Sequence, residues 1–419
     1  MDEPTLTFLD EPDPDAGGPP GGGDETDLII DDDDRYSRLR LIPWWRQERL
    51  AAARVLVVGA GALGNEAIKN LALLGVGTIY VIDLDEVEPS NHTRSDLFRE
   101  QDGGRAKAVV AAERARELNP GVTVVAMRGD VITDLGLGLF ADVDVVIGCL
   151  DNREARLWVN RQCWKVGTPW VDSGIQEIQG VVKVFDPREA GTACYECAMT
   201  ARDYQLLNLR YSCPLLRRDQ ILEGKVPTAP TIASMMAALE VQEALKLIHG
   251  LPVAAGTAMV FNGVTNQFYT TRLPFREECL SHEFYPAPVP LPIGHASPAS
   301  ALFEACRESL DGPLTLALDR DLVVSVECPR CGWRAQILRP RTRVSASEAV
   351  CPECREPGRP EVVSAVQADS PLADHRLSSL GVPAYDIVRV DGGERSGFFL
   401  LAGDRDRRDA GSDSTPSGR

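Results

Sequence analysis

The strongest pattern along the chain is a run of four apolar residues, Val55–Val58, that ends in Gly59-x-Gly61-x-x-Gly64 and passes into NEAIKNLALLG. An uninterrupted apolar run fits a strand buried on both faces, and the stretch after the glycines has helical spacing. The pattern then repeats. TIYVIDLD (78–85), VTVVAMRG (122–129) and DVDVVIGCLD (142–151) read as buried strands, with helices over 105–118 and 153–167. PWVDSG (169–174) and GVVKVFD (180–186) add two more strands, and TIASMMAALEVQEALKLIHG (231–250) is an amphipathic helix closed by Gly250. AMVFNG and QFYTTRL read as a closing hairpin. Strands alternating with helices predict an α/β fold with a doubly wound, Rossmann-like sheet.

Around this body the pattern changes character. RYSRLRLIPWWRQERLAAA (35–53) reads as a helical lead-in that packs Leu39, Ile42, Trp44 and Leu50 onto the sheet. Segment 187–229 has no clear periodicity. Residues 283–300 are proline-rich and predict a linker, which separates the α/β body (35–282) from a small domain at 301–402. That domain reads as built around two Cys-x-x-Cys pairs. The charged, Ser/Gly-rich residues 403–419 predict a disordered tail.

Charge sharpens the picture at one end. Residues 1–34 hold thirteen Asp or Glu and no Lys or Arg, so of the formal net charge of −18 only −5 belongs to the rest of the chain. This leader predicts a disordered acidic arm. An acidic chain of this kind is a poor general ligand for nucleic acid or for anionic membrane. No apolar run approaches the roughly 20 residues of a membrane span, and an acidic N-terminus does not suit a secretory signal. The eleven cysteines fall largely at metal-ligand spacing, which predicts a reducing cytoplasm and zinc rather than disulfides.

Each strand-to-helix junction places polar residues at the carboxyl edge of the sheet, where open α/β folds bind ligands. The first supplies Gly59, Gly61 and Gly64, a turn that lets the backbone approach a phosphate. Alone it would suit NAD, FAD or ATP equally. The second supplies Asp83, nineteen residues beyond Gly64, an offset suited to a ribose hydroxyl. Asn91 and Arg94 follow on the next loop, the helix after it supplies Lys107, and the fourth strand runs into Asp151. A dehydrogenase has little use for an arginine, a lysine and a carboxylate converging on its cleft, whereas ATP with Mg²⁺ uses all three. No GxxxxGK[ST] loop is present, so the site is not of the Walker type.

In their order, RYSR (35–38), GAGALG (59–64), DLDEVEPSNHTR (83–94), GGRAK (103–107), LDNREAR (150–156) and TAPTIASMMAALEVQEALKLI (228–248) resemble the ThiF/MoeB/HesA superfamily, which includes the ubiquitin-activating enzymes. The resemblance covers about residues 35–282. It implies ATP-dependent adenylation of the C-terminal glycine of a small β-grasp protein, ubiquitin-like or sulfur-carrying, by a cytoplasmic homodimer. It also implies that Asp83 holds the ribose, that Asn91, Arg94 and Lys107 hold the phosphates, and that Asp151 holds Mg²⁺. Arg38 would reach across the dimer to the partner's nucleotide. Ser95 departs from the glutamine usual after the arginine.

Cys194 and Cys197 stand where this superfamily carries its first zinc pair, and Cys279 with His282 stands at the second, a histidine replacing the usual cysteine. Cys328, Cys331, Cys351 and Cys354 have C-x₂-C-x₁₉-C-x₂-C spacing, the signature of a zinc ribbon. Two Zn²⁺ sites are therefore expected. Cys213, flanked by Arg210, Arg217 and Arg218, lies where a nucleophile for thioester formation would be, with its thiolate favoured by those charges. The leading expectation is an activating enzyme for a ubiquitin-like protein that forms a thioester on Cys213, with a conjugating enzyme as a further partner. The first alternative is a sulfur-carrier adenylyltransferase without a catalytic cysteine, working with a sulfurtransferase. The second is a nucleotide-binding scaffold without activity. Cys149 and Cys163 read as core residues.

Overall fold

The computed structural model describes residues 34–205 and 227–406. Two compact units are distinguished, Met1–Trp45 and Arg46–Arg419. In the first, the described residues form a 3-10 turn over Leu39–Leu41, with Arg40 Nε on Asp34 Oδ2 at 2.8 Å and the Trp44 and Trp45 rings 5.6 Å apart. Arg38 immediately precedes that turn. The lead-in is thus helical only in pieces: an α-helix, α1, covers Gln47–Ala52 and buries Leu50.

The second unit is organised by an eight-stranded sheet. Its strands are β1 (Arg54–Val58), β2 (Thr78–Asp83), β3 (Thr123–Arg128), β4 (Val145–Gly148), β5 (Trp170–Gln176), β6 (Gln179–Phe185), β7 (Thr257–Asn262) and β8 (Gln267–Arg272). They lie in the order β3-β2-β1-β4-β5-β6-β7-β8, the first five parallel and the last three antiparallel. The parallel strands are the continuous Val/Ile-rich runs of the sequence, because helices cover both of their faces. Helices α2 (Ala62–Leu74), α3 (Lys107–Leu118) and α6 (Pro230–His249) pack along one face. On the other, α4 (Leu137–Asp142) and α5 (Arg153–Val166) share a core with Leu56, Val58, Tyr80, Ile82 and Val146. The doubly wound α/β class is as expected. Chain order reverses between β1 and β4, and such a switch point opens a crevice at the carboxyl ends of the two strands.

The proline-rich stretch 283–300 does not run free. It supplies β9 (Val289–Leu291), which pairs in parallel with β14 (Arg395–Leu401), and it reaches the start of α7 (Ala299–Cys306). Prolines are tolerated there because β9 is an edge strand, with one row of N–H groups unpaired in any case. A second sheet runs β11 (Arg334–Pro340), β10 (Leu314–Glu327), β13 (Ile387–Gly392), β14 and β9, with β12 (Arg359–Gln367) also pairing β10.

This smaller domain is not built around its cysteines. Its main core joins Leu302, Phe303, Leu316, Val390 and Phe399, while the Cys-x-x-Cys pairs sit at the far end of β10 beside a minor cluster of Val323, Val326, Val344 and Ala349. The domain also packs on the α/β body. Ile387, Phe398 and Leu400 join the core of the α4–α5 face, and Arg320 lies 4.5 Å over the Trp158 ring while donating to the carbonyls of Ile132 and Leu135. Lys165 pairs with Asp319 at 2.9 Å, and Tyr385 Oη donates to Asp142 at 2.8 Å. At the start of the expected tail, buried Asp404 accepts from the His295 N–H.

Candidate functional site

The glycine turn closes the β1–β4 crevice from below. Gly59 adopts φ +98°, and a Cβ there would meet the Cys149 carbonyl at 2.4 Å. A Cβ on Gly64 would meet the Gly59 carbonyl at 2.0 Å. Only hydrogen fits at either place. Gly61, the N-cap of α2, differs: a Cβ there would enter open space, with nothing within 4 Å. The turn is therefore tight inward and open outward, with the uncapped N–H groups of α2 at its rim.

Asp83, at the end of β2, is bonded into this turn. Its Oδ2 accepts from the Ala60 N–H at 2.6 Å, and its Oδ1 accepts from the Asp85 N–H at 2.7 Å. A carboxylate has about four lone-pair positions, so it retains acceptor capacity for a ligand hydroxyl. Burial raises its pKa above the usual range, against the Lys107 charge and those two N–H groups. Lys107 opens α3, with Nζ on Asp85 Oδ2 at 2.9 Å. Asn91 is buried and accepts from the Glu88 N–H, which fixes the loop, and Arg94 Nη1 donates to the Ser90 carbonyl at 3.0 Å. Ser95 is buried with its hydroxyl unpaired among the described residues. Asp151 is exposed just beyond β4.

Glycine turn, Asp83 and Lys107 thus form one connected set, while Asn91 and Arg94 are ordered on the neighbouring loop. Arg38 belongs to the other unit, and Cys213 with its three arginines lies outside the described residues.

Two further groups shape this edge without having stood out in the sequence. Asn65 is fully buried, donates to the Ala60 carbonyl at 2.7 Å and accepts from the Leu97 N–H at 2.8 Å, which ties the turn to the Arg94 loop. The only hint was a polar residue following Gly64 inside an otherwise apolar helix face. Arg156 donates to Asp172 at 2.9 Å and to the carbonyls of Leu150 and Ser173, so it fixes the loop that carries Asp151 against β5. Beneath the turn, Cys149 Sγ faces the fully buried Glu240 at 3.6 Å, and burial together with that carboxyl raises the thiol well above its ordinary pKa. Cys163 is also buried, so neither thiol suits nucleophilic work.

Both cysteine sets converge. Cys194 lies 3.7 Å from Cys197 and 3.5 Å from Cys279, and Cys197 lies 3.5 Å from His282 Nε2. Cys328 and Cys354 are 3.4 Å apart, and Cys331 and Cys351 3.5 Å. Sulfurs about 2.3 Å from a tetrahedral zinc would be about 3.8 Å apart, so both sets fit that ion. His282 is stacked between Trp164 at 5.1 Å and Phe275 at 5.5 Å, and its burial lowers its pKa, which favours the neutral imidazole a metal requires. Burial opposes ionisation of Glu196, between the first two ligands, but Arg161 and Ser281 outweigh it and hold its carboxyl below the usual range. At the second set, N–H groups, first that of Cys331, lower the Cys328 thiol to about 7. Among the described residues, no helix is long and apolar enough to cross a membrane.

An open glycine turn at a topological switch point, with a strand-end acid bonded into it, defines a nucleotide-binding α/β protein. Residues 34–281 match the ThiF family, and the chain belongs to it. That places it in the ThiF/MoeB/HesA superfamily of adenylyltransferases, to which the ubiquitin-activating-enzyme-like proteins are related. It is 30% identical over 249 residues to the sulfur carrier protein ThiS adenylyltransferase of Escherichia coli (strain K12), covering 58% of this chain and 93% of that one. It is 34% identical over 278 residues to the adenylyltransferase and sulfurtransferase MOCS3 of Mus musculus, covering 65% of this chain and 57% of that one. It is 40% identical over 151 residues to SUMO-activating enzyme subunit 2 of Dictyostelium discoideum, covering 36% of this chain and 22% of that one. The chain thus spans less than two thirds of the length of the mouse and Dictyostelium relatives.

Proposed function

We propose that this protein uses ATP to adenylate the C-terminal glycine of a small β-grasp carrier protein, and that the carrier is of the sulfur-carrying kind. The observation that carries the chemistry is the open turn at Gly61 with Asp83 bonded into it, in a chain of the ThiF family. In this reading Asp83 accepts the ribose hydroxyls, and Asn91, Arg94 and Lys107 face the phosphates, with Arg38 contributed from the partner subunit of a homodimer. Asp151, a single exposed carboxylate at the switch point, suits Mg²⁺, which keeps most of its shell as water and phosphate oxygen. Bound there, the ion would supply positive charge against the phosphates.

A C-terminal carboxylate, with a pKa near 3.5, is ionised at neutral pH, so no general base is required. One carboxylate oxygen forms a bond to the α-phosphorus, the bond from that phosphorus to the bridging oxygen breaks, and pyrophosphate leaves with the electron pair. The barrier is repulsion between anions. Fixed arginine and lysine charges lower it by roughly several kcal/mol, and positioning supplies the rest.

Coverage favours the sulfur-carrier reading, because the ThiS adenylyltransferase is matched over almost its whole length. The 40% identity to SUMO-activating enzyme subunit 2 favours a second reading, with a thioester on Cys213 and zinc-ribbon contacts to a conjugating enzyme. ATP–pyrophosphate exchange with a β-grasp protein ending in glycine tests the core claim. Asp151→Ala or Arg94→Ala should lower exchange at least about a hundredfold with the fold intact. Exchange that survives both changes would mean the site is elsewhere. A thiol-sensitive adduct lost in Cys213→Ala would select the second reading over the first.

A further inference from the structure

Asp85 has no part in the reading above, yet it sits at the centre of the connected set. Its N–H donates to Asp83 Oδ1 at 2.7 Å. Its carbonyl accepts from the Lys107 N–H at 3.0 Å, and its carboxylate holds Lys107 Nζ at 2.9 Å. The acid beside the glycine turn and the first residue of α3 therefore meet through this one residue. Glu86 and Ala106 continue the contact as an isolated β-bridge, so the main chains of both segments are fixed independently of the Asp85 side chain.

We propose that Asp85 is a positioning residue whose carboxylate holds the Lys107 ammonium at the carboxyl edge of the sheet in the place where it meets the nucleotide phosphates. The inference deepens the proposed function and rests on Lys107 being a phosphate ligand. Two arguments support it. The Asp85 side chain is 54% exposed, and a pair so open on one side adds little to folding, so stability does not account for the contact. A free lysine, in contrast, gives up rotamer freedom when its ammonium is fixed, and a lysine already held does not lose it again on binding.

The carboxylate does not exclude the phosphate. An ammonium has three N–H donors, and Asp85 is the one hydrogen-bond partner of Nζ among the described residues, which leaves two donors for phosphate oxygens. The Lys107 side chain is only 11% exposed, so its stem is confined and the direction of Nζ depends on what it meets at the tip. Among the described residues that partner is Asp85.

The test is titration calorimetry of ATP with Mg²⁺ on the full chain, using the unaltered protein, Asp85→Ala, Asp85→Glu, Lys107→Met and the double variant Asp85→Ala/Lys107→Met. Asp85→Ala should weaken ATP binding about tenfold, because a released Lys107 must then give up rotamer freedom on meeting the phosphates, with Tm unchanged. Asp85→Glu should recover part of the loss. In the Lys107→Met background the Asp85→Ala change should cost nothing more, because its effect passes through the lysine. An equal loss in both backgrounds overturns the inference, as does an Asp85→Ala protein that binds normally while Lys107→Met does not. If Lys107→Met itself binds ATP normally, the lysine's role in the proposed function falls, and this inference with it.

Discussion

Single residues in this molecule separate folding from binding in ways that can be measured. Gly64 is confined by the Gly59 carbonyl and Gly61 by nothing, so the two glycines of one motif should answer differently to a methyl group. Gly64→Ala should cost about 2 kcal/mol or more of stability, while Gly61→Ala, at φ −73°, should fold normally and lose ATP affinity. Paired thermal denaturation and ATP titration would check both. Asp386 is a second case. It is fully buried where the smaller domain meets the α/β body, and burial pushes its pKa to about 6, against the opposing pull of Arg320 and the Leu137 N–H. A carboxyl whose folded pKa is raised binds its proton more tightly in the folded chain. Its contribution is therefore most favourable below about pH 4 and is lost as pH rises through about 6, for a change of about 3 kcal/mol. Asp386→Asn keeps an acceptor for Leu137, so the stability difference between variant and unaltered protein should grow in the variant's favour from pH 4 to 7. A constant difference would remove Asp386 as its source. The role of Asp386 was not legible in the sequence, because it acts on a residue 249 positions away.

Elements were legible where one physical cause determined them. β1, β2 and β4 are buried on both faces, so their apolar runs could hardly be anything else, and α6 shows both its stripe and its Gly250 cap. The glycine spacing and the Asp83 offset likewise follow from local geometry, which is why the nucleotide edge could be outlined in advance. Elements set by distant partners were not. β9 exists because β14 lies beside it, and its prolines alone argued for a linker. The cysteines of the smaller domain suggested its centre, whereas its apolar residues assemble elsewhere, around α7, β13 and β14. This division has an experimental consequence. In protein loaded with zinc, a chelator should free the backbone amides of 328–358 to exchange with deuterium while α7, β13 and β14 stay protected. Loss of protection throughout 299–401 would show instead that the domain depends on its metal.

At the scale of the molecule, the smaller domain is held on the α4–α5 face by apolar packing and by ion pairs, Lys165 with Asp319 and Arg343 with Asp134. Arg343 reaches the loop that follows β3, whose first residue, Gly129, donates its N–H to the Asp83 carbonyl. The smaller domain is thereby connected, through one loop, to the nucleotide edge. Aromatic residues mark these same junctions. Trp164 stacks on His282 at the first cysteine set, Trp158 lies under Arg320 where the domain docks, and Trp333 packs against the minor cluster beside the second set. Three of the six tryptophans in the chain thus stand at three separate places: the two cysteine sets and the seat of the domain. An indole's emission depends on the charge and polarity of what touches it, so the protein carries its own optical labels, one for each place, distinguishable by replacing one indole at a time with phenylalanine.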